Sequence, residues 1–532
     1  MFKKHFIFLS IFAFSTICFA QKNKDTEADN TYVKELFVNR NFKKAMEEYQ
    51  VLIKKDSTNL TYKHNLALCY LNLNIENEKS IQLLENISIQ PKCDPNVWYD
   101  LATVFQKMNR FDIAIKDYRK FIELVNNKDN NYIPAVRQLE MCENAISLMK
   151  KPLNVIFENL GNDINSIGPD LRPYISADED LLVFTSKRIG NIGSVMDVDG
   201  FNTSDIFSCN YNGKWAKPKR MPSIINTPVS EDCTGLTADG ITMMIHYDND
   251  KMMGDLLISE LKGRSFLRPL QLSSMINTEK DETAACLSPD KQTLFFASSR
   301  KGGEGLKDLY YARKLPSGDW SEAVNLGSNI NTKYDENYPY ISPDGVTLYF
   351  CSVGHNSMGG YDIFKAKWDK DAFTFSEPEN MGYPINTSDD ERSISFTQSG
   401  RFAYMDTNKK EGMGNRDIYK VFFNDIPAAY TVITGKISIG DTSVSEMTDK
   451  LTSSLTDEIK ITVIDKKTAL LKGKYAPNKI SGKYVVILPP GDYLIKFEGS
   501  HINAFDFEQF IPDRETSDRE IDKNIVLTLK SQ

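Results

Sequence analysis

Carboxylates recur at fixed positions along the middle of the chain, and a pair of carboxylates can serve as the acid and the base of a glycosidase. One acid stands eight residues before a recurrent turn, at Asp170, Glu231, Glu282, Glu336 and Glu391. A second acid opens a later strand, at Asp205, Asp255, Asp308, Asp362 and Asp417. Catalysis needs acids with different roles and separated pKa values, whereas these acids occupy equivalent positions. We therefore expect them to cap turns or join neighbouring repeats, and we expect no enzymatic activity.

The acids belong to a repeat that is 51 to 61 residues long and is built around a tight turn. In Ser342-Pro343-Asp344-Gly345, proline presets φ, Asp caps its own backbone and Gly accepts a positive φ. The turn position is occupied by Asp178, Asp239, Asp290, Asp344 and Ser399, and an Ile-Asn pair stands thirteen residues before each. Strand-rich units of this length are typical of propeller blades. Residues 153–424 are therefore predicted to form a five-bladed β-propeller.

The sequence also indicates how the propeller closes. An outer-strand pattern, in which an aromatic residue precedes the Ile-Asn pair, occurs between repeats but is missing after Phe423. A partial copy, Val155-Ile156-Phe157, stands before the first repeat instead. Because an unpaired strand edge promotes aggregation, we expect this N-terminal strand to pair with the strand from Tyr419 to Phe423 and to complete the last blade.

One insertion in the first repeat carries a candidate metal site. Asp197, Asp199, Asn202 and Asp205 offer oxygens at spacings that a calcium loop can use, with Gly200 at the turn. The segment lacks a complete EF-hand pattern, so a solvated polar loop is the alternative. The chain has no phosphate-binding loop and no Gly-x-Ser-x-Gly elbow, and no cofactor is expected.

The N-terminus is typical of an exported protein. Residues 1–20 read as a signal peptide, because two lysines precede an apolar run from Phe6 to Ile17 and small residues follow. Simple cleavage and lipidation at Cys18 both stay open, although Ile17 is larger than the residue that usually precedes a lipidated cysteine. No other stretch approaches the roughly 20 apolar residues of a spanning helix. The net charge of −8, without a basic patch, argues against nucleic-acid binding.

From residue 30 to 150 the apolar period changes to that of helices. Ala102 and Ala114 are small enough to let two antiparallel helices approach each other, and similar second-helix patterns recur 35 and 34 residues apart. The segment resembles tetratricopeptide repeats, a TPR-like helical array, and such arrays usually bind proteins in a concave groove. Tyr62, Tyr99 and Arg137 are the candidate partner-binding residues. A tyrosine in such a repeat is more often a core residue than a contact residue.

Residues 428–532 show short alternating strands between turn signals, which predicts a small β-sandwich. Pro489-Pro490-Gly491-Asp492 marks a tight turn between two of the strands. The strand that contains Thr434-Gly435-Lys436 and this turn resemble the carboxypeptidase-regulatory or transthyretin-like module. The fold class is thus predicted to be multidomain: a helical array, an all-β propeller and an all-β sandwich.

The domain order resembles a family of periplasmic proteins of Bacteroidota that combine TPR repeats, a PD40 (WD40-like) propeller and a regulatory-like domain. The family includes PorE-like components of type IX secretion and gliding machinery. Family members commonly continue into an OmpA-like peptidoglycan-binding domain, whereas this sequence ends at Gln532 just after the predicted sandwich. The resemblance implies a periplasmic, outer-membrane-associated protein with envelope proteins as partners, and direct peptidoglycan binding is not expected.

Two functions from different classes follow. The first is a non-enzymatic scaffold that binds protein partners through the helical array and a propeller face. The second is a propeller that binds or cleaves a glycan. A distinctive pair of acids at the propeller centre, at positions that differ between blades, would favour the second, and the sequence pattern shows no such pair.

Overall fold

The computed structural model describes residues 30–193, 196–197, 199–248, 254–440, 442–443, 459–478, 481–515 and 517–530. The predicted signal peptide, residues 1–20 with Cys18, lies outside the described residues. The chain divides into two compact units. The first ends at Pro91 and takes in the short piece Val198–Gly200, and the second comprises Lys92–Asp197 and Phe201–Gln532.

Helices occupy the part of the chain where the apolar period is helical. Within the described residues they are α1 (Asn30–Val38), α2 (Phe42–Lys55), α3 (Leu60–Leu73), α4 (Asn77–Ser88), α5 (Asn96–Lys107), α6 (Phe111–Leu124) and α7 (Tyr132–Leu148). In the first unit, α1 packs on α2, α2 on α3 and α3 on α4. In the second unit, α6 packs on both α5 and α7. Ala102 and Ala114 are fully buried where α5 meets α6, as their small size predicted.

Five antiparallel sheets follow the helices, and we call them sheets A to E. Strand β1 (Val155–Asn159) comes first, and sheet A then contains β2 (Asp170–Ile175), β3 (Leu181–Ser186), β4 (Asp205–Asn210) and β5 (Lys219–Arg220). Sheet B contains β6 (Glu231–Leu236), β7 (Thr242–Asp248), β8 (Gly254–Lys262), β9 (Ser265–Phe266) and β10 (Leu270–Gln271), and sheet C contains β11 (Glu282–Leu287), β12 (Thr293–Ser298), β13 (Asp308–Arg313) and β14 (Val324–Asn325). Sheet D contains β15 (Glu336–Ile341), β16 (Thr347–Ser352), β17 (Asp362–Asp369), β18 (Thr374–Phe375) and β19 (Glu379–Asn380), and sheet E contains β20 (Ile394–Phe396), β21 (Phe402–Thr407) and β22 (Asp417–Phe423).

Each recurrent turn joins the first two strands of a sheet, and its side chains explain why the sequence turns there. In sheet D the Ser342 hydroxyl donates to Asp344 Oδ1 at 2.5 Å and accepts from the Thr347 N–H at 2.9 Å. The same arrangement holds at Ser288 in sheet C and at Thr237 in sheet B. The hydroxyl and the carboxylate thus satisfy backbone N–H groups that the tight turn leaves without partners.

The repeated asparagine joins each sheet to the segment that leads into the next. Asn331 Oδ1 accepts from the Leu309 N–H at 2.8 Å, and its Nδ2 donates to the Leu309 carbonyl at 2.9 Å. The other copies make the same pair of bonds, namely Asn165 with Ile418, Asn226 with Ile206, Asn277 with Leu256 and Asn386 with Ile363. The amide imitates a peptide group in the ladder, which explains why asparagine recurs here.

The first strands of the five sheets are neighbours in a closed order. β6 contacts β2 and β11, β11 contacts β15, and β2 contacts β20. The gap between β15 and β20 is bridged by the Tyr340 hydroxyl, which accepts from the Phe396 N–H at 2.9 Å. We call this arrangement the five-sheet ring. The end that carries the repeated acids is the acid end, and the end that carries the recurrent turns is the turn end.

The predicted closing strand is confirmed. β1 pairs antiparallel with β22 in sheet E, with Val155 opposite Phe423 and Asn159 opposite Tyr419. Phe157 packs against Tyr419 with ring centroids 6.3 Å apart. The residues before the first repeat therefore cover the outer edge of the last sheet.

Helix α7 is attached to the acid end of sheet D. The Arg137 guanidinium donates to the carbonyls of Val353, Gly354 and His355 over 2.8 to 3.1 Å. In addition, the Asn144 amide donates to the Ser357 carbonyl at 3.0 Å. These bonds show why the boundary between the compact units falls before α5, inside the predicted helical domain.

The remaining strands form two sheets with a shared apolar core. They are β23 (Thr431–Ile439), β24 (Thr442–Ser443), β25 (Lys460–Asp465), β26 (Leu471–Tyr475), β27 (Lys483–Leu488), β28 (Gly491–Glu498), β29 (Phe505–Ile511), β30 (Glu520–Asp522) and β31 (Ile525–Leu527). One sheet contains β24-β23-β27 with β30 and β31 parallel to β23, and the other has the order β26-β25-β28-β29. Alternate residues such as Ile461, Val463, Tyr493 and Ile495 point into the core.

A segment of this C-terminal module, residues 512–515 with residue 517, contacts the turn end of the ring, and we call it the strap. The Arg514 guanidinium lies 3.5 Å from Glu179, which also accepts from the Glu515 N–H at 3.1 Å. The Glu515 carboxylate accepts from the N–H and the hydroxyl of Ser399 at 3.1 and 2.7 Å. Ser399 replaces the usual turn aspartate, so a carboxylate from the strap takes the place of the missing one.

Glu179 is a second departure from the repeat. Its turn position holds glycine in sheets B, D and E, namely Gly240, Gly345 and Gly400, with φ between 69° and 71°. Glu179 adopts the same left-handed backbone, with φ 64°, although a side chain is unfavourable there. Its carboxylate is buried and accepts from Lys420 Nζ at 2.5 Å and from the Tyr404 hydroxyl at 2.7 Å. The repeat is thus broken where the strap docks.

Candidate functional site

The repeated acids at the acid end are turn caps. In four sheets the carboxylate accepts from the backbone N–H and the hydroxyl of a threonine four residues earlier, in the pairs Thr227–Glu231, Thr278–Glu282, Thr332–Glu336 and Thr387–Glu391. In sheet A, Asp170 accepts from the Ser166 N–H at 2.6 Å. The prediction that these acids cap turns is confirmed, and their oxygens are directed into the protein.

Burial strongly affects the ionisation of these caps. Burial raises the pKa of Glu231 to about 8 and that of Glu336 to about 7, although the threonine bonds act in the opposite direction. Burial together with the nearby Asp362 raises the pKa of Glu391 well above its ordinary value. Groups of this kind hold a proton more tightly in the folded chain than in the unfolded chain.

This difference predicts a pH-dependent stability. The stabilisation from protonated Glu231 is complete below its unfolded value of 4.5 and is lost as the pH rises through about 8. Glu231→Gln cannot titrate, so its free energy of unfolding should rise relative to the wild type by roughly 1–3 kcal/mol between pH 5 and pH 9. Urea unfolding at several pH values measures this, with the exposed Glu498→Gln as control. A difference that does not change with pH would contradict the assignment.

A second group of charged residues lies on the axis of the ring at the acid end. Arg172 follows the repeated acid of sheet A, and its guanidinium forms an ion pair with Asp232 of sheet B. Its backbone N–H donates to Asp406 of sheet E at 2.8 Å, and the guanidinium lies 5.9 Å from the Tyr338 ring of sheet D. A residue that contacts three other sheets must lie at the centre of the ring.

The carboxylates of this group are held by several donors. Asp406 accepts from Arg416 Nε at 2.6 Å and from the Ser393 hydroxyl at 3.1 Å. Asp232 accepts from the Ser204 hydroxyl at 3.0 Å, and His246 Nδ1 lies 3.9 Å away. Each carboxylate therefore has at least two donors from its own chain.

Arg392 and Asp390 form the part of the group that solvent reaches. Arg392 Nη2 donates to Asp390 Oδ2 at 2.8 Å, and the two side chains are 43% and 38% exposed. Asp390 also accepts from the Tyr361 N–H at 2.9 Å, and the Tyr361 ring lies 5.9 Å from the Arg392 guanidinium. We call the whole group the central cluster: Arg172, Asp232, Tyr338, Tyr361, Asp390, Arg392, Asp406 and Arg416.

The three carboxylates of the central cluster have lowered pKa values. Burial disfavours their charged forms, but guanidinium groups outweigh it: Arg172 for Asp232, Arg392 for Asp390, and Arg416 with Arg172 for Asp406. A general acid needs a raised pKa and a reachable proton. Among the described residues of the cluster, these carboxylates are instead suited to holding arginines in place.

The predicted calcium residues make separate local contacts. Asp197 Oδ2 lies 3.4 Å from Lys187 Nζ, Asn202 donates to the Arg188 carbonyl at 3.0 Å, and Asp205 accepts from the Ile192 N–H at 2.8 Å. Asp199 belongs to the other compact unit. Across the part of the chain that the structure describes, no group of three or more His, Cys, Asp or Glu side chains is arranged to hold a metal ion. Calcium binding stays a prediction.

The predicted partner-binding residues take part in packing. Tyr62 lies against Tyr49 in the core of the first unit, with centroids 6.3 Å apart. Tyr99 packs edge-on against Tyr118 and Phe121, and burial raises its pKa to about 12. The Arg137 guanidinium binds carbonyls of sheet D and is 11% exposed. These contacts give Arg137 a role within the chain.

Sequence reasoning missed the central cluster. The signal was present, because the residues just after the repeated acid differ between copies: Arg172, Asp232 and Arg392 occupy places where sheet C has Thr283 and Ala284. The cluster contains acids at blade-specific positions, which the sequence pattern did not reveal.

The turn end holds a cavity with a volume of about 550 Å³. It is lined by turn residues of sheets A, B and C, by Gln398 and by Glu515 of the strap.

No helix among the described residues combines the length and the apolar character needed to cross a membrane.

Comparisons with known proteins give structural similarities only. No family model matches the chain, and no curated protein matches it. Similar solved structures include TolB from Acinetobacter baumannii, at 14% identity over 49% of this chain and 56% of that one, with a TM-score of 0.31. The periplasmic gluconolactonase PpgL of Pseudomonas aeruginosa shares 9% identity over 65% of this chain and 87% of that one, with a TM-score of 0.28.

A third similar structure is the α-L-arabinanase of Penicillium chrysogenum complexed with arabinobiose. It shares 8% identity over 48% of this chain and 94% of that one, with a TM-score of 0.32. This chain covers little more than half of the Acinetobacter protein, and all three TM-scores are low.

Proposed function

We propose that the chain is a non-enzymatic scaffold of the periplasm, associated with the outer membrane, that binds envelope proteins. In this proposal the five-sheet ring is a five-bladed PD40-type propeller, and the helices are a TPR-like array that adds binding surface. Partners bind at the centre of the acid end. Type IX secretion or gliding machinery is the setting that the family resemblance implies.

The ionisation and placement of the acids support this proposal. The acids with raised pKa, such as Glu231 and Glu336, are buried and bonded to threonines of their own sheets. The acids that face the centre have lowered pKa values, because neighbouring arginines stabilise their charged forms. A glycosidase pair needs one acid of each kind facing the same substrate. The centre is better suited to recognition, since arginine and tyrosine carry much of the energy at protein interfaces.

The glycan alternative has one observation in its favour. Asp232, Asp390 and Asp406 occupy blade-specific positions beside Tyr338 and Tyr361, and acids with aromatic rings can bind sugars. Their oxygens are however already occupied by donors of this chain, which leaves little capacity for sugar hydroxyls.

The proposal predicts no hydrolysis. Purified protein incubated with neutral and acidic oligosaccharides, and with peptides, should release no new reducing ends or amines above the background of a boiled sample. Turnover that disappears in Asp232→Asn or Asp390→Asn, in variants that keep the wild-type melting temperature, would overturn the non-enzymatic assignment and establish the glycan alternative or a peptidase.

A further inference from the structure

The central cluster has more hydrogen-bond donors than the chain uses. A guanidinium has five N–H donors and no acceptor. The Nε atoms of Arg172 and Arg392 are buried and have no hydrogen-bond partner among the described residues. Arg172 is 8% exposed, so its unused Nε donor is shielded from bulk water.

The acceptors of the cluster are already occupied. Asp406 holds three donors, from Arg172, Ser393 and Arg416. Asp390 accepts hydrogen bonds from the Tyr361 N–H and from the Arg392 guanidinium. A ligand that brought mainly donors would find few free lone pairs, whereas a ligand that brings acceptors finds donors that are already oriented.

We propose that the central cluster binds a carboxylate of an acidic peptide segment in a partner protein, with Arg392 as the residue that the carboxylate reaches. This inference rests on the proposed function and specifies the chemistry of the partner. Arg392 is suited to the role because 43% of its side chain is exposed while Asp390 and the Tyr361 ring hold its guanidinium. The incoming carboxylate exchanges places with Asp390 or shares the guanidinium with it, and no covalent bond changes.

The arrangement favours a peptide over a glycan. The hydroxyls of neutral sugars donate as well as accept hydrogen bonds. Their O–H donors would face guanidinium groups, which have no acceptor. A carboxylate matches the planar fork of arginine and can accept two bonds at once. The neighbouring rings of Tyr338 and Tyr361, whose centroids are 6.5 Å apart, supply apolar surface beside the charge for the backbone of an extended segment.

The test is calorimetric titration of the full chain with N-acetylated tetraglutamate, compared with tetraglutamine, glutarate and a neutral hexasaccharide. Tetraglutamate should bind the wild type, and Arg392→Gln should weaken it by roughly tenfold or more. Asp390→Asn should tighten it about threefold, because the competing charge is removed while the Asn carbonyl can still accept from the Tyr361 N–H. A misfolded variant would not bind more tightly, so this second variant keeps the test decisive.

The matched control is Arg119→Gln. Arg119 also donates through Nη2 to a carboxylate, Glu143 at 3.0 Å, but on an exposed helix surface outside the cluster. It should leave binding unchanged. Equal affinity of the wild type and Arg392→Gln, no tightening in Asp390→Asn, or absence of tetraglutamate binding would each overturn the inference. Glutarate binding as tightly as tetraglutamate would replace the peptide by a small acid, and binding of the hexasaccharide alone would replace it by a glycan.

Failure of this inference and failure of the proposed function give different results. If Arg392→Gln still forms protein crosslinks from the acid-end centre in cells, the scaffold proposal stands and only the carboxylate chemistry is rejected. If the wild type forms no such crosslinks, the proposed function itself fails.

Discussion

Proline at both Ile156 and Glu158 is expected to expose the outer edge of sheet E and make the protein aggregate. The Asn424 N–H donates to Asn154 at 3.0 Å and the Leu160 N–H donates to Ile418 at 3.2 Å. Alternation along an antiparallel ladder then places Ile156 and Glu158 in the hydrogen-bonded pairs. Proline removes both donors, so β1 detaches from β22. The exposed edge of β22 is apolar and unprotected, which favours pairing between chains.

Size-exclusion chromatography with light scattering measures this outcome. The matched control is the alanine pair at the same positions, since both side chains point to solvent and alanine keeps the two N–H donors. We expect the alanine pair to elute like the wild type and the proline pair to shift largely to bigger species. A proline variant that elutes like the wild type, with an unchanged melting temperature, would show that β1 is dispensable for covering this edge.

Glu179→Gly is expected to release the strap from the turn end. Glycine adopts the left-handed backbone without strain, which stabilises the turn by about 1 kcal/mol. The substitution also leaves Lys420 and Arg514, each 9% exposed, without their buried carboxylate. Breaking a buried pair costs about 3–5 kcal/mol, so a net loss of about 2–4 kcal/mol is expected. Hydrogen exchange should show faster exchange in the strap before the ring itself unfolds.

Lys291→Gly is the control for this substitution. Lys291 occupies the same turn position in sheet C with φ 57°, and its side chain is 34% exposed where it pairs with Asp239 at 3.1 Å. We expect its stability to change by no more than about 1 kcal/mol. Equal stability of the two glycine variants would mean that Glu179 contributes nothing beyond its turn.

The parts of the fold that follow local rules could be predicted from sequence. Asn331 and Glu336 recur because each satisfies backbone groups within one repeat and its neighbour, so spacing alone indicates their role. The closing strand could be predicted because a missing outer strand and an extra one complement each other. Most of these partners lie a nearly fixed distance away along the chain, whereas β1 pairs with a strand more than 250 residues later.

The contacts that break the repeat could not be predicted in the same way. Glu179 and Ser399 look like tolerated exceptions until Arg514 and Glu515, more than a hundred residues later, are placed beside them. Arg137 seemed free for a partner because its own helix pattern contains no reason for it to bind sheet D. The central cluster draws on several sheets, so it exists only once the ring is closed.

One measurement tests the central claim most directly. A photoreactive phenylalanine analogue at Tyr361, in the chain expressed in its native cells, reports what contacts the centre of the acid end. The same analogue at Val526, which is 56% exposed in the C-terminal module, is the control. The account predicts a discrete protein adduct from position 361 that the control does not form. No adduct, or an adduct with polysaccharide in place of protein, would contradict it.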